Sequence, residues 1–247
     1  TLANEDLSIT TLNLTDFALT LNTANLTVAN LVAFDNAAEQ IITAGNNLTL
    51  TAGFAMTDGD ITSTAGNITL GGSTTGALGT LDFTGSTLTL NGDLDANSIG
   101  GNFTAPTDLA ITSNAVLTLA NPLSVTSLTL NDLALTMAGD LTVTNAVTID
   151  NANEQIITAG NNLTLTAAPV MSLGQVTSSG GTVTMPAATT ITSGTFDMSS
   201  TTLVLTGAGT FDLNTAVVTS PAILTLGGIT TLANEDLSIT TLNLTDF

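Results

Sequence analysis

Three side chains have the types and the spacing of the start of a calcium-binding loop. Asp93, Asp95 and Asn97 stand at the first, third and fifth positions, where such a loop supplies oxygen ligands to the ion. The pattern then fails, because Ser98 occupies the position that requires glycine and Thr104 the position that requires glutamate. The sequence therefore favours polar corner residues on a solvated surface over a calcium site.

The second half of the chain, which repeats much of the first, weakens the metal interpretation further. It keeps only Asp212 and Asn214 of the calcium-like set. A weaker acidic motif in the first half, Asp58-Gly59-Asp60, is replaced in the second half by Leu173-Gly174-Gln175. We therefore predict no metal site and no required cofactor, with at most diffuse or weak Ca²⁺ binding by the acidic residues.

Most enzymatic chemistry is excluded by the residue types that are missing. The 247 residues include no Lys, Arg, His, Cys, Tyr or Trp, against 20 Asp and Glu. The usual general bases and nucleophiles are absent, which leaves carboxylates and hydroxyls. The acids are scattered, and no pair of the kind that hydrolyses glycosides recurs in both halves of the chain. We predict that the protein has no catalytic residues and is not an enzyme.

Asparagine occurs repeatedly in Asn-x-Thr sequons. One interpretation is glycosylation of an extracellular surface. The other is that Asn suits tight corners and Thr suits outward strand positions, so that the sequon is a by-product of the fold. Both interpretations stay open for the sequons at Asn13, Asn25, Asn47, Asn67, Asn102, Asn162 and Asn243.

Threonine also recurs at a fixed spacing. Thr49, Thr69 and Thr89 are 20 residues apart, and Thr164 and Thr184 continue the series in the second half. An outward array of Thr is typical of ice-binding solenoids, which makes ice binding one hypothesis. Against it, the next member of the series is a valine, at position 204. β-Branched Thr also packs well on any exposed pleated surface.

The elements that position these side chains follow from internal repetition. Residues 1–17 recur unchanged at 231–247, and residues 35–52 recur at 150–167 with the single change of Ala38 to Asn153. The chain is thus two imperfect copies of a 115-residue unit (roughly 1–115 and 116–230), followed by the start of a third at 231–247. We expect residues 18–25 to be repeated after Phe247 in the parent protein.

A shorter period lies within this unit. Triplets with alternating apolar residues recur every six or seven residues, and equivalent triplets every 20. The three series begin with Ile41–Thr43, Leu48–Leu50 and Phe54–Met56, and glycine and asparagine, which tolerate positive φ, stand between them. This pattern predicts an all-β fold, a right-handed parallel β-helix (β-solenoid) with three short strands per coil of about 19–20 residues. About 12 coils per 230 residues would form one continuous solenoid segment over 1–247, roughly 58 Å per 230 residues at the strand spacing.

The competing fold is a string of immunoglobulin-like sandwiches, which have a similar repeat length. Sandwich strands are longer and return at spacings of about 8–12 residues. The triplets of this chain are too short and too regular for that fold.

The motifs NLTL, NITL, GNNLTLTAG and STAGNITLGG resemble the repeats of filamentous-haemagglutinin-type exoproteins and related autotransporter adhesins. The resemblance covers most of the chain and implies a repetitive β-helix surface protein. The chain departs from those adhesins because it has no basic residues.

The net charge of −20 limits the partners. Nucleic acid and anionic membranes are excluded by sign, whereas salt and divalent cations should stabilise the rod. The function we predict is a non-catalytic structural repeat segment of an acidic extracellular fibre, sheath or surface filament. Its main partner would be itself, with divalent cations or glycans as further ligands. The alternative is the spacer stalk of a giant cell-surface adhesin.

Overall fold

The computed structural model describes residues 5–97, 102–119, 121–233 and 236–245, and it confirms an all-β parallel solenoid of about 12 turns. The chain divides into two compact units, residues 1–121 and 122–247. In the described ranges, no helix is long and apolar enough to cross a membrane. That the whole chain forms one continuous segment stays a prediction.

The strands of the first unit are two to five residues long. They are β1 (Leu7–Ile9), β2 (Ala18–Thr20), β3 (Leu26–Val28), β4 (Val32–Phe34), β5 (Gln40–Ile42), β6 (Leu48–Leu50), β7 (Phe54–Met56), β8 (Asp60–Thr62), β9 (Asn67–Gly71), β10 (Thr74–Gly76), β11 (Thr80–Asp82), β12 (Thr87–Asn91), β13 (Leu94–Asp95), β14 (Phe103–Thr104), β15 (Asp108–Ile111) and β16 (Ala115–Thr118).

The second unit contains strands of the same lengths. They are β17 (Leu123–Val125), β18 (Ser127–Thr129), β19 (Ala134–Ala138), β20 (Leu141–Val143), β21 (Thr148–Ile149), β22 (Gln155–Ile157), β23 (Leu163–Leu165), β24 (Val170–Met171), β25 (Gln175–Thr177), β26 (Thr182–Pro186), β27 (Thr189–Thr190), β28 (Thr195–Asp197), β29 (Thr202–Thr206), β30 (Gly209–Asp212), β31 (Val217–Thr219), β32 (Ile223–Gly227), β33 (Thr230–Ala233) and β34 (Thr241–Leu244).

Most strands pair in parallel with the strand three places further along the chain, and β1 with β3 and β32 with β34 are two places apart. In the first unit the three stacks run β1-β3-β6-β9-β12-β15, β4-β7-β10-β13-β16 and β2-β5-β8-β11-β14. In the second unit they run β17-β20-β23-β26-β29-β32-β34, β19-β22-β25-β28-β31 and β27-β30-β33, with the short pair β21-β24. Each turn therefore supplies one strand to each wall, as the three predicted series require.

The register places the apolar residues of the second triplet series in an inward ladder. Leu48 pairs with Ile68 and Ile68 with Leu88, and all three side chains are buried. On the same strands, Thr49 pairs with Thr69, and both side chains stay partly exposed on the outer face. Because side chains alternate along a strand, identical spacing stacks apolar residues on apolar residues at every turn.

The first series is shifted by one residue from its prediction. The strand runs over Gln40–Ile42 rather than Ile41–Thr43, with Ile41 as its one inward residue. Thr43 is nonetheless fully buried, and its hydroxyl donates to Ser63 Oγ (2.8 Å). The second unit repeats the arrangement with Thr158 and Ser178 (2.9 Å). These hydroxyls satisfy one another, which makes a polar column tolerable inside an apolar core.

The predicted corners adopt the left-handed backbone conformation. Ala44 and Gly45 have φ of 49° and 88°, and Ala159 and Gly160 repeat these values. Asn46 follows the first corner and donates its amide to the carbonyls of Leu21 (2.7 Å) and Thr43 (2.9 Å). The corner sequence thus ties two successive turns together by a side chain as well as by strands.

Aromatic rings fill part of the core of each unit. Phe34 and Phe54 lie in neighbouring turns with ring centroids 6.0 Å apart, edge to face, and Phe196 and Phe211 are 6.2 Å apart. Both distances lie in the range of favourable aromatic pairs. The core therefore consists of vertical stacks of similar side chains.

Candidate functional site

The residues that resemble the start of a calcium loop bond to the backbone of the chain. Asp93 and Asp95 are exposed, and their carboxylates accept the backbone N–H groups of Val116 (2.8 Å) and Asn97 (3.0 Å) respectively. Ser98, the sixth position of the pattern, lies outside the described residues. Within the described ranges, no group of three or more His, Cys, Asp or Glu residues could hold a metal ion.

The same use of carboxylates recurs along the chain. A backbone N–H donates to the side chain of each of Asp6, Asp58, Asp82, Asp93, Asp95, Asp140, Asp197 and Asp212. In Asp6, the bond from the Asn25 backbone lowers the pKa of the carboxyl below its usual value. A chain without basic residues therefore pairs many of its acids with its own backbone.

Several sequon asparagines belong to a hydrogen-bonded ladder. Asn25 Oδ1 accepts the N–H of Asn47, and Asn47 Oδ1 accepts the N–H of Asn67, both at 2.8 Å. Asn162 makes the equivalent bond to Thr182 N–H (2.9 Å) in the second unit. This gives Asn a structural reason to recur at the corner. The remaining sequon residues, Asn13, Asn102 and Asn243, are exposed, and glycosylation stays a prediction for all seven.

Each unit has its own column of outward residues that contains threonines. In the first unit Thr27, Thr49, Thr69 and Thr89 stand in register. Asparagine stands two positions before each of the first three threonines, so the Thr column is flanked by a different residue type. In the second unit, the column passes from Thr184 to Val204.

The two most enclosed carboxylates among the described residues were not singled out as a site by sequence reasoning. Glu39 and Glu154 are 5% and 6% exposed, although glutamate is almost never buried without a partner. They stand 115 residues apart at the same place in the two repeats, each in a loop with the sequence Asp-Asn-Ala-x-Glu. We refer to residues 35–39 and 150–154 as the glutamate loops.

Each glutamate loop folds around its own carboxylate. Glu39 Oε2 accepts the N–H of Asp35 (2.7 Å), and the Glu39 N–H donates to the Asn36 carbonyl (2.9 Å). The Asn36 side chain accepts the N–H of Ala38 (2.9 Å). These three bonds close the loop on itself, and they require the side chains of Asn36 and Glu39 but no particular residue at position 38. The one difference between the repeated blocks, Ala38 to Asn153, falls at this exposed position.

Glu154 makes more bonds than Glu39. Its Oε2 accepts the N–H groups of Asp150 (2.7 Å) and Asn151 (3.2 Å), and its Oε1 accepts the N–H of Asp132 (3.3 Å). Among the described residues, no donor reaches Oε1 of Glu39. Glu154 therefore also ties its loop to a residue of the preceding turn.

A groove lies beside each glutamate. The groove in the first unit has a volume of about 270 Å³ and is lined by Leu12, Leu14, Leu31 and Glu39, among others. The equivalent groove in the second unit, about 510 Å³, has Ser127, Thr129, Ala146 and Glu154 at the matching places. The glutamate is constant, whereas the three leucines of the first groove are replaced by Ser127, Thr129 and Ala146 in the second. A role in closing the loop explains this pattern better than a shared ligand does.

One sequence signal could have identified these loops. The block 35–52 is the longest near-identical stretch between the two 115-residue copies, and its acids keep their places where most others change. Burial of a glutamate cannot be inferred from that identity alone, because glutamate at a loop end is ordinarily exposed.

Replacing Glu154 with Gln should destabilise the second unit more than the matched change Glu39→Gln destabilises the first. In either orientation, the new amide at position 154 places an NH₂ group against at least one backbone N–H donor. The new amide at position 39 can keep its oxygen on Asp35 N–H and turn its NH₂ group toward the groove. We expect a loss of about 2 kcal/mol for Glu154→Gln and under about 1 kcal/mol for Glu39→Gln.

Urea unfolding of both variants, followed by amide hydrogen exchange to assign each transition to a unit, would measure the difference. Equal losses in the two units would contradict the bonding described for Glu154.

The chain matches no protein-family model, no curated protein and no solved structure at a significant level.

Proposed function

We propose that this chain is a non-catalytic structural segment of an acidic extracellular fibre, sheath or surface filament. In this proposal the stacked turns form the body of the fibre, and the main partner of the chain is a further copy of the same repeat. Divalent cations or glycans would be secondary ligands at the acidic surface, and nucleic acid and anionic membranes would be repelled by the net charge of −20.

The observation that carries the proposal is the burial of one four-residue sequence that occurs twice in the chain. Residues 241–244 repeat residues 11–14 letter for letter. Leu14 is 6% exposed, whereas Leu244 is 60% exposed. Leu14 is buried because the turn that follows it covers it. Each turn therefore buries its apolar residues against the next turn, which favours stacking on further copies of the same repeat.

The use of the acids also supports a structural role. Glu39, Glu154 and at least eight aspartates accept hydrogen bonds from the chain's own backbone. Bonds of this kind hold turns together. They also occupy many of the carboxylates that a hydrolytic mechanism or a metal site would need.

Two features favour an extracellular filament of the filamentous-haemagglutinin-like kind. The repeat motifs resemble those exoproteins, and a chain without Lys or Arg offers trypsin-like proteases no cleavage site. A spacer stalk in a giant adhesin is the second candidate, favoured by the same resemblance. It differs from the first because a stalk carries a distinct terminal domain and has no need to assemble with itself.

Concentration-dependent assembly tests the proposal. We expect the purified chain to form filaments with an axial repeat of roughly 58 Å, from about 12 turns at the strand spacing. Negative-stain images and fibre diffraction would measure the repeat. Leu244→Asp should reduce assembly, because it places a charge on the apolar end surface, while Thr225→Asp on the outer face of the neighbouring strand β32 serves as the control. A chain that stays monomeric at every concentration and salt would contradict the fibre function.

A further inference from the structure

One carboxylate oxygen of Glu39 has no partner in the first groove. Glu39 is 5% exposed, and its Oε2 accepts the N–H of Asp35 (2.7 Å). Its Oε1 accepts no hydrogen bond from the described residues. Among those residues, Thr74 Oγ1 is the one fully enclosed side-chain oxygen without a partner, so Oε1 of Glu39 must reach the open space of the groove. The groove therefore contains an anionic acceptor that the protein itself does not use.

The second unit uses the equivalent oxygen. There the N–H of Asp132 donates to Oε1 of Glu154 (3.3 Å), while Oε2 accepts the N–H of Asp150 (2.7 Å). Both glutamates line a groove, so the groove is a feature of the repeat, whereas the unpartnered oxygen belongs to the first repeat alone.

The wall of the first groove is largely apolar. Leu12, Leu14 and Leu31 line it together with Glu39, and Asp35 adds a second carboxylate. Its volume of about 270 Å³ suits a ligand no larger than a long side chain. A concave, mostly apolar surface with a few placed polar groups is the usual form of a small-molecule site.

The occupant of such a site must be a cation. A carboxylate as enclosed as that of Glu39 favours a positively charged partner, and Asp35 adds to the negative potential. The chain contains no Lys, Arg or His. Neither its own side chains nor those of a second copy can supply the charge, so the cation must come from a different molecule.

The groove distinguishes between kinds of cation. Calcium takes six to eight oxygen ligands, which a wall of leucines does not offer. A guanidinium binds a carboxylate best through both oxygens, and Oε2 of Glu39 is already occupied by Asp35 N–H. A primary ammonium binds a single oxygen as a point charge, and an aliphatic chain behind it packs on apolar surface as a lysine stem does.

We propose that the first groove binds a primary alkylammonium group. The ammonium donates to Oε1 of Glu39, and the aliphatic chain lies against Leu12, Leu14 and Leu31. Free aliphatic amines and the lysine side chains of other proteins both carry such a group. The inference goes beyond the proposed fibre function and does not depend on it, because the site lies within one chain.

Three probes of graded chemistry test the site. Leucine-methyl NMR of the whole chain would follow titrations with n-butylammonium, methylammonium and n-butanol. Each methylene that leaves water should tighten binding about threefold, so we expect n-butylammonium to bind about 30-fold more tightly than methylammonium. The uncharged n-butanol has the same length and should bind at least about tenfold more weakly than n-butylammonium.

Two variants separate the charge from the apolar wall. Glu39→Gln should weaken n-butylammonium binding by about 30-fold or more, because its amide places a donor or a neutral oxygen where the ammonium binds. Asp108→Asn removes one charge outside the groove and should leave binding unchanged. Leu31→Ala introduces the residue type of the second groove, at a side chain that is 49% exposed. It should weaken n-butylammonium about fivefold and methylammonium less than about twofold.

A fourth probe distinguishes the two sources of the group. Nα-Acetyl-lysine N-methylamide carries the same butylammonium on a peptide backbone. Tighter binding of this probe than of n-butylammonium would assign the site to lysine side chains. Equal or weaker binding would assign it to free amines.

The remaining outcomes overturn the proposal. Equal binding of methylammonium and n-butylammonium, or full binding by Glu39→Gln, would mean that cations are attracted only to the acidic surface in general. No shift of the groove leucines at any n-butylammonium concentration would mean that there is no site. These results leave the fibre function standing, and a chain that forms no filaments leaves the amine site standing, because binding is measured on each chain separately.

Discussion

Replacing Ile68 with Asp should cost the first unit about 3–5 kcal/mol of unfolding free energy. Ile68 is fully buried, with Leu48 directly before it and Leu88 directly after it in the same ladder. A carboxylate at this place would be desolvated on both sides by leucine. The chain has no basic residue that could pair with it, so the charge would have no compensation inside the core.

The neighbouring change Thr69→Asp is the control. Thr69 lies on the same strand but faces outward, between Thr49 and Thr89. The change Thr69→Asp adds the same charge at nearly the same place, and we expect it to destabilise the unit by less than about 1 kcal/mol. Thermal or urea unfolding of the two variants measures the difference. Equal stability would mean that the side-chain register described for β9 is wrong.

Replacing Gly79 with Ala should destabilise the same unit by about 3 kcal/mol or more. Gly79 has φ of +92°, and a Cβ at this position would overlap the Gly59 carbonyl oxygen. The obstacle is backbone of the adjacent turn, which cannot move without opening the stack. Gly174 and Gly194 repeat this close contact in the second unit, with a Cβ at Gly194 2.6 Å from the Gly174 oxygen.

The matched control for this change is Gly45→Ala. Gly45 has nearly the same φ, +88°, but the nearest atom to its Cβ would be Ala65 Cβ at 3.9 Å, an ordinary contact. The change Gly45→Ala therefore has only the cost of the left-handed conformation, about 1 kcal/mol of unfolding free energy. Circular dichroism melts of both variants would separate conformational strain from the clash. If Gly79→Ala melted like Gly45→Ala, the turns would have to be spaced more loosely than described.

The repeat and its period determined most of the fold. A spacing of 20 residues places Leu48, Ile68 and Leu88 above one another whatever the detailed shape of the turn, because strands of successive coils must pair in register. Glycine and asparagine at fixed places then specify the corners. These features are local in sequence, so the strands, their order and the inward face could be predicted before the structure.

The candidate site could not be predicted in the same way. Asp93, Asp95 and Asn97 had the spacing of a calcium loop, yet the orientation of each carboxylate depends on which backbone N–H lies within its reach after folding. Glu39 was counted only among the scattered acids. Its burial arises because its loop folds back over it, and such folding leaves no periodic signal in the sequence.

Composition and spacing alone therefore determined the class of architecture, the stacking of like residues and the lack of most catalytic groups. Tertiary structure alone decided which polar groups became internal. Thr43 and Ser63 entered the core because each finds the hydroxyl of the next turn, and Glu154 did so because three backbone N–H groups converge on it. The physical reason is that burial of a polar group depends on the partners that folding brings within hydrogen-bond distance, whereas burial of an apolar group depends only on which face it occupies.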